Sequence, residues 1–332
     1  MNNFIISCDW GTSEFRLRLI NLKEESVINE ITSPNGVLSI HNSWAADSKK
    51  NSKKECYLHF LLAQVEILLT EQLKENKNIP ILISGMASSS IGIEELPYAK
   101  IPFALNGKNT VSKFMKSNAE FPYDLLLISG VSTSNDVMRG EETQLIGIAQ
   151  IKELMQLNEE AICIFPGTHS KHIKISKGNI VDFKTYLTGE MFELLSTKSV
   201  LKGAVSKEDN QKVIDKLNLQ SFYKGINASQ NKANLLNQLF SVRTNALFSL
   251  LSAQENYFYL SGLLIGYEIR SLHQEMPCTI VLCSGNSLSQ LYQLAIEKLS
   301  FEAKTIYIEP AMMDKAAYWG QIKIFQSFQQ RK

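Results

Sequence analysis

Asp9 follows an apolar run over residues 4–8 and opens the stretch Asp9-Trp10-Gly11-Thr12-Ser13. A carboxylate in that place can hold a hydrated magnesium ion beside phosphates that neighbouring amides and hydroxyls bind. It could equally bond the backbone of its own turn. Two further loops repeat the design of an apolar run followed by glycine and a hydroxyl. One is Pro166-Gly167-Thr168-His169-Ser170-Lys171, the other Ser284-Gly285-Asn286-Ser287. Glycine lets a backbone come close to a ligand, and successive amides with hydroxyls make a concave anion site. The 284–287 loop also precedes a helical pattern, whose N-terminus attracts negative charge. Taken singly, each loop also reads as an ordinary turn.

Asp136, after Ser134-Asn135, could cap the turn into a helix or take the proton of a substrate hydroxyl as a general base. Arg139 with Glu141 and Glu142 forms a compact charged cluster. It is either a solvated first helical turn or a guanidinium fork for an anionic substrate. Other chemistries lack their residues. No GxxxxGK followed by Ser or Thr, no GxGxxG opening a helix and no GxSxG elbow occurs. His41, His59, His172 and His273 are scattered without metal-ligand spacing.

The elements that must position these groups follow from hydrophobic period. Phe15, Leu17 and Leu19 alternate with Arg16 and Arg18, so residues 4–8 and 15–20 form a hairpin around 9–13, with a third strand at 27–32. Leu58, Leu61, Leu62, Val65, Leu68 and Leu69 carry a helix over 54–73. Residues 79–83 and 125–128 are short buried strands, each followed by a Ser-Gly loop, and a helix runs near 141–151. Near 161 the pattern starts again: a buried strand at 161–165, the 166–171 loop, then strands at 172–176 and 179–187. This echoes 4–32 in pattern, not in residues. Helices at about 189–198, 232–251 and 254–273, a strand at 279–283, a helix to about 299, a strand at 304–309 and a closing helix at 311–326 complete the reading. The polar stretch 203–231 reads as an insertion or mobile segment. Strands alternating with helices predict an α/β fold.

The chain has 332 residues, which suggests two domains. Lys plus Arg is 34 and Asp plus Glu is 33, a net charge of +1, which disfavours a broad nucleic-acid or acidic-membrane surface. Five cysteines without a CxxC pair read as buried small apolar residues in a reducing compartment. No signal-peptide pattern and no membrane-length apolar run is seen, so a cytoplasmic location is expected.

The constellation is more specific than its parts. The hairpin loop 9–13, the second loop 166–171 and the late Gly285-Asn286 resemble the two phosphate motifs and the adenosine motif of the actin-like sugar kinase superfamily. Within it, the sequence resembles the 2-dehydro-3-deoxygalactonokinase family. The matching stretches are 9–13, Gly85-Met86 with Pro97-Tyr98, 136–144, 166–171, 188–190 and 261–266, in family order over nearly the whole chain. The resemblance implies two ribonuclease-H-like domains with an interdomain cleft, expected at 1–152 (first phosphate loop and sugar site) and 153–332 (second phosphate loop and adenosine site). It implies transfer of the γ-phosphoryl group of ATP to the 6-hydroxyl of 2-dehydro-3-deoxy-D-galactonate, in galactonate catabolism. By the same resemblance Asp9 coordinates hydrated Mg²⁺, Gly11, Thr12, Ser13, Gly167, Thr168 and His169 cradle phosphate, and Gly285 and Asn286 lie against adenosine. Asp136 takes the place of the base. Gly85, Met86, Ser88, Arg139 and Glu141 are the expected substrate contacts, with Lys171 beside Arg139 as a candidate for the substrate carboxylate. The expected partners are ATP and a small sugar acid, with a homodimer allowed and neither nucleic acid nor membrane.

The sequence departs from the family pattern twice. Residues 87–90 are Ala-Ser-Ser-Ser where a more basic, bulkier loop is expected, and His172 stands where an aromatic residue is expected. Two alternatives therefore stay open: a kinase of the same fold for another keto-deoxy sugar acid or hexose derivative, and a non-catalytic actin-like ATP-binding protein.

Overall fold

The computed structural model describes residues 3–46, 52–74, 76–151, 160–206, 214–231, 234–275, 278–301 and 303–331. The chain divides into two compact units. The first comprises 1–159, 175–182 and 312–332, the second 160–174 and 183–311. The boundary expected at 152/153 lies outside the described residues. The C-terminal helix Pro310–Gln329 belongs almost wholly to the first unit, although its sequence position had placed it in the second.

In the first unit, strands β1 (Phe4–Trp10), β2 (Phe15–Asn21) and β3 (Ser26–Ser33) form an antiparallel meander. Strand β4 (Ile81–Gly85) pairs parallel with β1, and β6 (Leu125–Ile128) parallel with β4. Strand β5 (Ser112–Met115) closes the edge antiparallel to β6. The order β3-β2-β1-β4-β6-β5 is that of a ribonuclease-H-like sheet. The apolar face of β2 does what its period predicts, with Phe15, Leu17 and Leu19 fully buried, but the opposite face is not left to solvent, since Arg18 is only 4% exposed. The three apolar residues join Trp10, Tyr57, Leu61 and Val65 in one core under helix α2 (Lys53–Leu68), which starts with a capping box of Ser52 and Glu55. Helix α1 (Val37–Ala46) lies before α2 and was not anticipated from the sequence.

Helix α3 (Glu141–Ile148) crosses the C-terminal helix at glycines. A Cβ on Gly147 would sit 2.0 Å from Ala316 O, and one on Gly320 would sit 1.8 Å from Thr143 O. The two backbones therefore touch, which any side chain at either position would prevent. Gln321, buried on the same helix, donates to Cys8 O (2.8 Å) and Ser84 Oγ (2.9 Å) and ties it under β1 and β4.

A second sheet repeats the design; residues 175–182 of its strands are counted with the first unit. Strand β7 (Ala161–Phe165) is followed by β8 (Ser170–Ser176) and β9 (Asn179–Tyr186). Helices α4 (Thr188–Thr197), α5 (Lys216–Ser229), α6 (Leu235–Leu247) and α7 (Ala253–Ile269) come next. Strand β10 (Thr279–Leu282), helix α8 (Asn286–Leu299) and strand β11 (Thr305–Tyr307) complete it. Five of its six strands run in the order β9-β8-β7-β10-β11, which matches β3-β2-β1-β4-β6 of the first sheet, with β7, β10 and β11 parallel.

Helix α5 corrects the reading of 203–231 as an insertion or mobile segment, of which residues 207–213 lie outside the described set. Phe222 and Ile226, one turn apart, bury fully in the core. Helix α7 lies against them: Cβ atoms on Gly225 and Gly262 would each come within 2.1 Å of a carbonyl of the opposite helix. The glycines of the 261–266 stretch thus serve helix packing.

Candidate functional site

In the first unit the sheet's strand ends gather the expected groups. Asp9 sits at the end of β1, registered against Arg16 on β2 and Ser84 on β4. Gly85 ends β4 with φ +90°, and a Cβ there would lie 2.7 Å from Trp10 O and 3.5 Å from Asp9 Oδ1. Only glycine accepts both the positive φ and that proximity. Gly140 (φ +114°), immediately before α3, would bring a Cβ within 3.7 Å of Gly85 Cα. Asp9, Gly85 and the start of α3 are therefore neighbours.

The first loop is held from behind. Gly11 N donates to Glu14 O (2.9 Å), while Val37 N and Leu38 N, opening α1, donate to Gly11 O (2.9 Å) and Thr12 O (3.1 Å). Gly36 makes this possible, because a Cβ there would lie 2.3 Å from Thr12 O. The side chains of Thr12 and Ser13 stay exposed.

Burial raises the Asp9 pKa above its ordinary value; Arg16 and Arg18 oppose the shift, Glu14 adds to it, and a hydrogen bond from Gln144 lowers it. Arg18 is itself fixed by Glu30 and by Asp314 (2.6 Å to Oδ2). A cavity of about 40 Å³ lies among Asp9, Arg16, Arg18, Gln144 and Asp314, room for one water. Among the described residues no group of three or more His, Cys, Asp or Glu is placed to hold a metal ion directly. A lone carboxylate fits a magnesium ion that keeps its waters and takes its other ligands from phosphates.

Arg139 is oriented by several groups at once. Its Nη1 donates to Ser88 Oγ (2.7 Å) and Ser129 Oγ (3.2 Å), its Nη2 to Leu96 O (3.0 Å), and its guanidinium lies 4.0 Å from the centre of the Tyr98 ring. The reading of Arg139 as part of a solvated turn is thereby replaced by a fixed cation. Ser88 belongs to the departing loop 87–90, so that loop supports Arg139. Met86 packs partly buried against the core, and Glu141 is half-buried at the first turn of α3. The next residue, Glu142, is buried; its Oε2 accepts from Gly140 N (2.8 Å) and its Oε1 faces Thr143 Oγ1 (2.9 Å). Burial, then the charge of Glu141, push its pKa up to about 8.

Asp136 does not cap α3, whose cap is Gly140. It closes a tight turn: its amide donates to Thr133 Oγ1 (2.9 Å), its carbonyl accepts from Thr133 N (2.9 Å), and its Oδ1 accepts from Val137 N (2.7 Å). The carboxyl is half-buried, three residues before Arg139.

In the second unit Gly167 has open space where a Cβ would project. Its amide donates to Ser170 Oγ (3.3 Å). Gly189 presses on the loop from α4, where a Cβ would lie 2.5 Å from Gly167 O, and Glu190 N donates to Thr168 O (3.0 Å). His169 and Glu190 are exposed partners (2.6 Å). Lys171, by contrast, is buried and donates to Thr185 Oγ1 (2.7 Å). Gly285 caps α8 with open space around it, and Asn286 is that helix's first residue.

Sequence reasoning missed Gln144, Gly36 and Gln321 as supports of Asp9 and its loop. Gln144 stood in a matching stretch, but the first loop and Gln321 lie more than 300 residues apart and no local pattern joins them.

Residues 9–317 match the model of one protein family, described as 2-keto-3-deoxy-galactonokinase. The chain belongs to that family. It is 28% identical over 310 residues to the 2-dehydro-3-deoxygalactonokinase of Escherichia coli (strain K12), covering 91% of this chain and 92% of the relative. It is 27% identical over 316 residues to a Rhizobium meliloti (strain 1021) protein named "Probable 2-dehydro-3-deoxygalactonokinase DgoK1", covering 93% and 94%. The crystal structure of a Sinorhizobium meliloti protein assigned as a 2-dehydro-3-deoxygalactonokinase superposes with a TM-score of 0.75 at 26% identity, over 97% of this chain and 96% of that one. The α/β kinase fold inferred from the motifs is thus the fold of the family. No helix among the described residues is long and apolar enough to cross a membrane.

Proposed function

We propose that this member of the family is an ATP-dependent kinase that phosphorylates the 6-hydroxyl of 2-dehydro-3-deoxy-D-galactonate. The observation that carries the reading is the gathering of Asp9, Gly85, Ser88, Arg139 and Gly140 in one unit of a chain matched to the family from residue 9 to residue 317.

Nucleotide phosphates would be held by Gly11, Thr12 and Ser13 and by Gly167, Thr168 and His169, and the adenosine by Gly285 and Asn286. Mg²⁺ would be held by Asp9 through water and would supply charge neutralisation on the phosphates. Arg139, already fixed by Ser88, Ser129 and Tyr98, offers its charge to the sugar-acid carboxylate, with Glu141 alongside as a hydroxyl acceptor. Lys171 is a weaker candidate, because Thr185 engages it inside its own unit.

In the reaction the O6–H proton passes to the Asp136 carboxylate as O6 bonds the γ-phosphorus. The bond from that phosphorus to the β,γ-bridging oxygen breaks, and ADP leaves with the electron pair. Positioning and charge stabilisation provide most of the acceleration.

A coupled ADP assay with magnesium on 2-dehydro-3-deoxygalactonate, run beside its C4 epimer, tests the reading. Higher kcat/KM on the galactonate derivative is expected. Preference for the epimer would favour a kinase for another keto-deoxy acid, and absence of turnover on any sugar acid would overturn the enzyme assignment.

A further inference from the structure

One buried carboxylate stands behind the second loop, and no motif points to it. Glu268, on α7, is 3% exposed. Its Oε2 accepts from Tyr292 Oη (2.6 Å) and from Thr188 Oγ1, and its Oε1 lies 3.0 Å from His172 Nε2. Tyr292 Oη also lies 3.0 Å from Ser170 Oγ.

The proton directions follow. The single hydroxyl hydrogen of Tyr292 goes to the carboxylate. Ser170 must therefore donate to Tyr292, and a lone pair of Ser170 is left for the Gly167 amide. Burial and the Glu268 charge push the Tyr292 pKa well up, which keeps the phenol a donor. A chain of hydrogen bonds thus runs from Gly167 N through Ser170 and Tyr292 to Glu268. A second branch runs through Thr188, the first residue of α4, to Gly189, which approaches Gly167 O closely, and Glu190, whose amide donates to Thr168 O from the other side.

We propose that Glu268 is a positioning residue for the second phosphate loop, acting through Tyr292 and Thr188 to fix the backbone of Gly167–Thr168–His169. This rests on the reading of that loop as a nucleotide phosphate site. His172, the departure from the aromatic family pattern, belongs to the same network, its ring packed at a tilt against Tyr186 (4.6 Å between ring centres) while facing Glu268.

The test compares Tyr292→Phe and Glu268→Gln with Thr168→Ala, measuring KM for ATP, KM for the sugar acid and direct calorimetric binding of ATP, ADP and AMP. Tyr292→Phe removes only the hydroxyl and keeps the ring, so it decides the matter if Glu268→Gln does not fold. The expected result is a rise of about tenfold in KM for ATP and weaker binding of ATP and ADP, with AMP binding and KM for the sugar acid unchanged. A lowered Tm with unaltered ATP and ADP binding would show a purely structural role and overturn the inference. If Thr168→Ala also leaves ATP binding intact, the phosphate-loop reading itself fails. If Thr168→Ala weakens binding and Tyr292→Phe does not, only the positioning role fails.

Discussion

If Asp9 holds the metal as proposed, function and stability pull in opposite directions at this residue. Its carboxylate is buried enough for the pKa to rise despite Arg16 and Arg18, so the fold bears a net cost for the charge at neutral pH. The unfolded chain ionises at the ordinary value and the folded chain at a higher one. The unfolded state therefore binds fewer protons between the two values, and stability falls as pH rises through that window. Asp9→Asn should keep or raise the Tm at pH 7 while lowering kcat by about 10²–10³-fold. Thermal unfolding and the ADP assay on one preparation check this; a lowered Tm with near-wild-type kcat would reverse the assignment. At this scale the loop residues were legible, because a Gly-Thr-Ser turn after an apolar run announces itself locally. The supports were not: Gln144 and Gln321 reach their partners only through the fold, and Lys171 looked available until the structure paired it with Thr185.

Helix α3 brings the same conflict to the level of an element. Glu142 is buried one residue into the helix, and its pKa of about 8 stands far above the ordinary 4.5. Below about 4.5 both folded and unfolded forms are protonated there. Between about 4.5 and 8 only the folded form is, so stability falls with rising pH across that range and levels off above it. Glu142→Gln cannot ionise and should lose this slope. Denaturant titrations at pH 5 and pH 8 should show the variant gaining on the wild type at the higher pH; an equal difference at both would contradict the burial argument.

Elements were legible where one face carried a clean period, as in β2 and α2. Helix α5 was not, because 216–229 is rich in Asn, Ser and Lys, and only Phe222 and Ile226 lie fully in the core. Its stability comes from the close glycine contact with α7, a tertiary cause that a propensity reading does not register.

At the scale of the whole molecule, the echo between 4–32 and 161–187 proved to be two sheets of matching strand order. The return of the C-terminal helix to the first unit was hidden, since it depends on the backbone contact at Gly147 and Gly320. The proposed activity asks that the two units act on one molecule of ATP, each through its own loop. That requirement is energetic and can be tested without a ligand-bound structure. Thr12 and Thr168 lie in different units. If their hydroxyls serve one triphosphate, losing either lets the phosphates reseat, and losing the second then costs less than it would alone. Thr12→Ala, Thr168→Ala and the double variant should therefore give ATP binding free energies that fail to add, with a coupling of about 0.5–3 kcal/mol. Independent sites would instead add to within about 0.3–0.5 kcal/mol. Additivity of that quality, with each single variant impaired, would mean that the loops bind separate ligands, and a single phosphoryl transfer involving both would have to be abandoned.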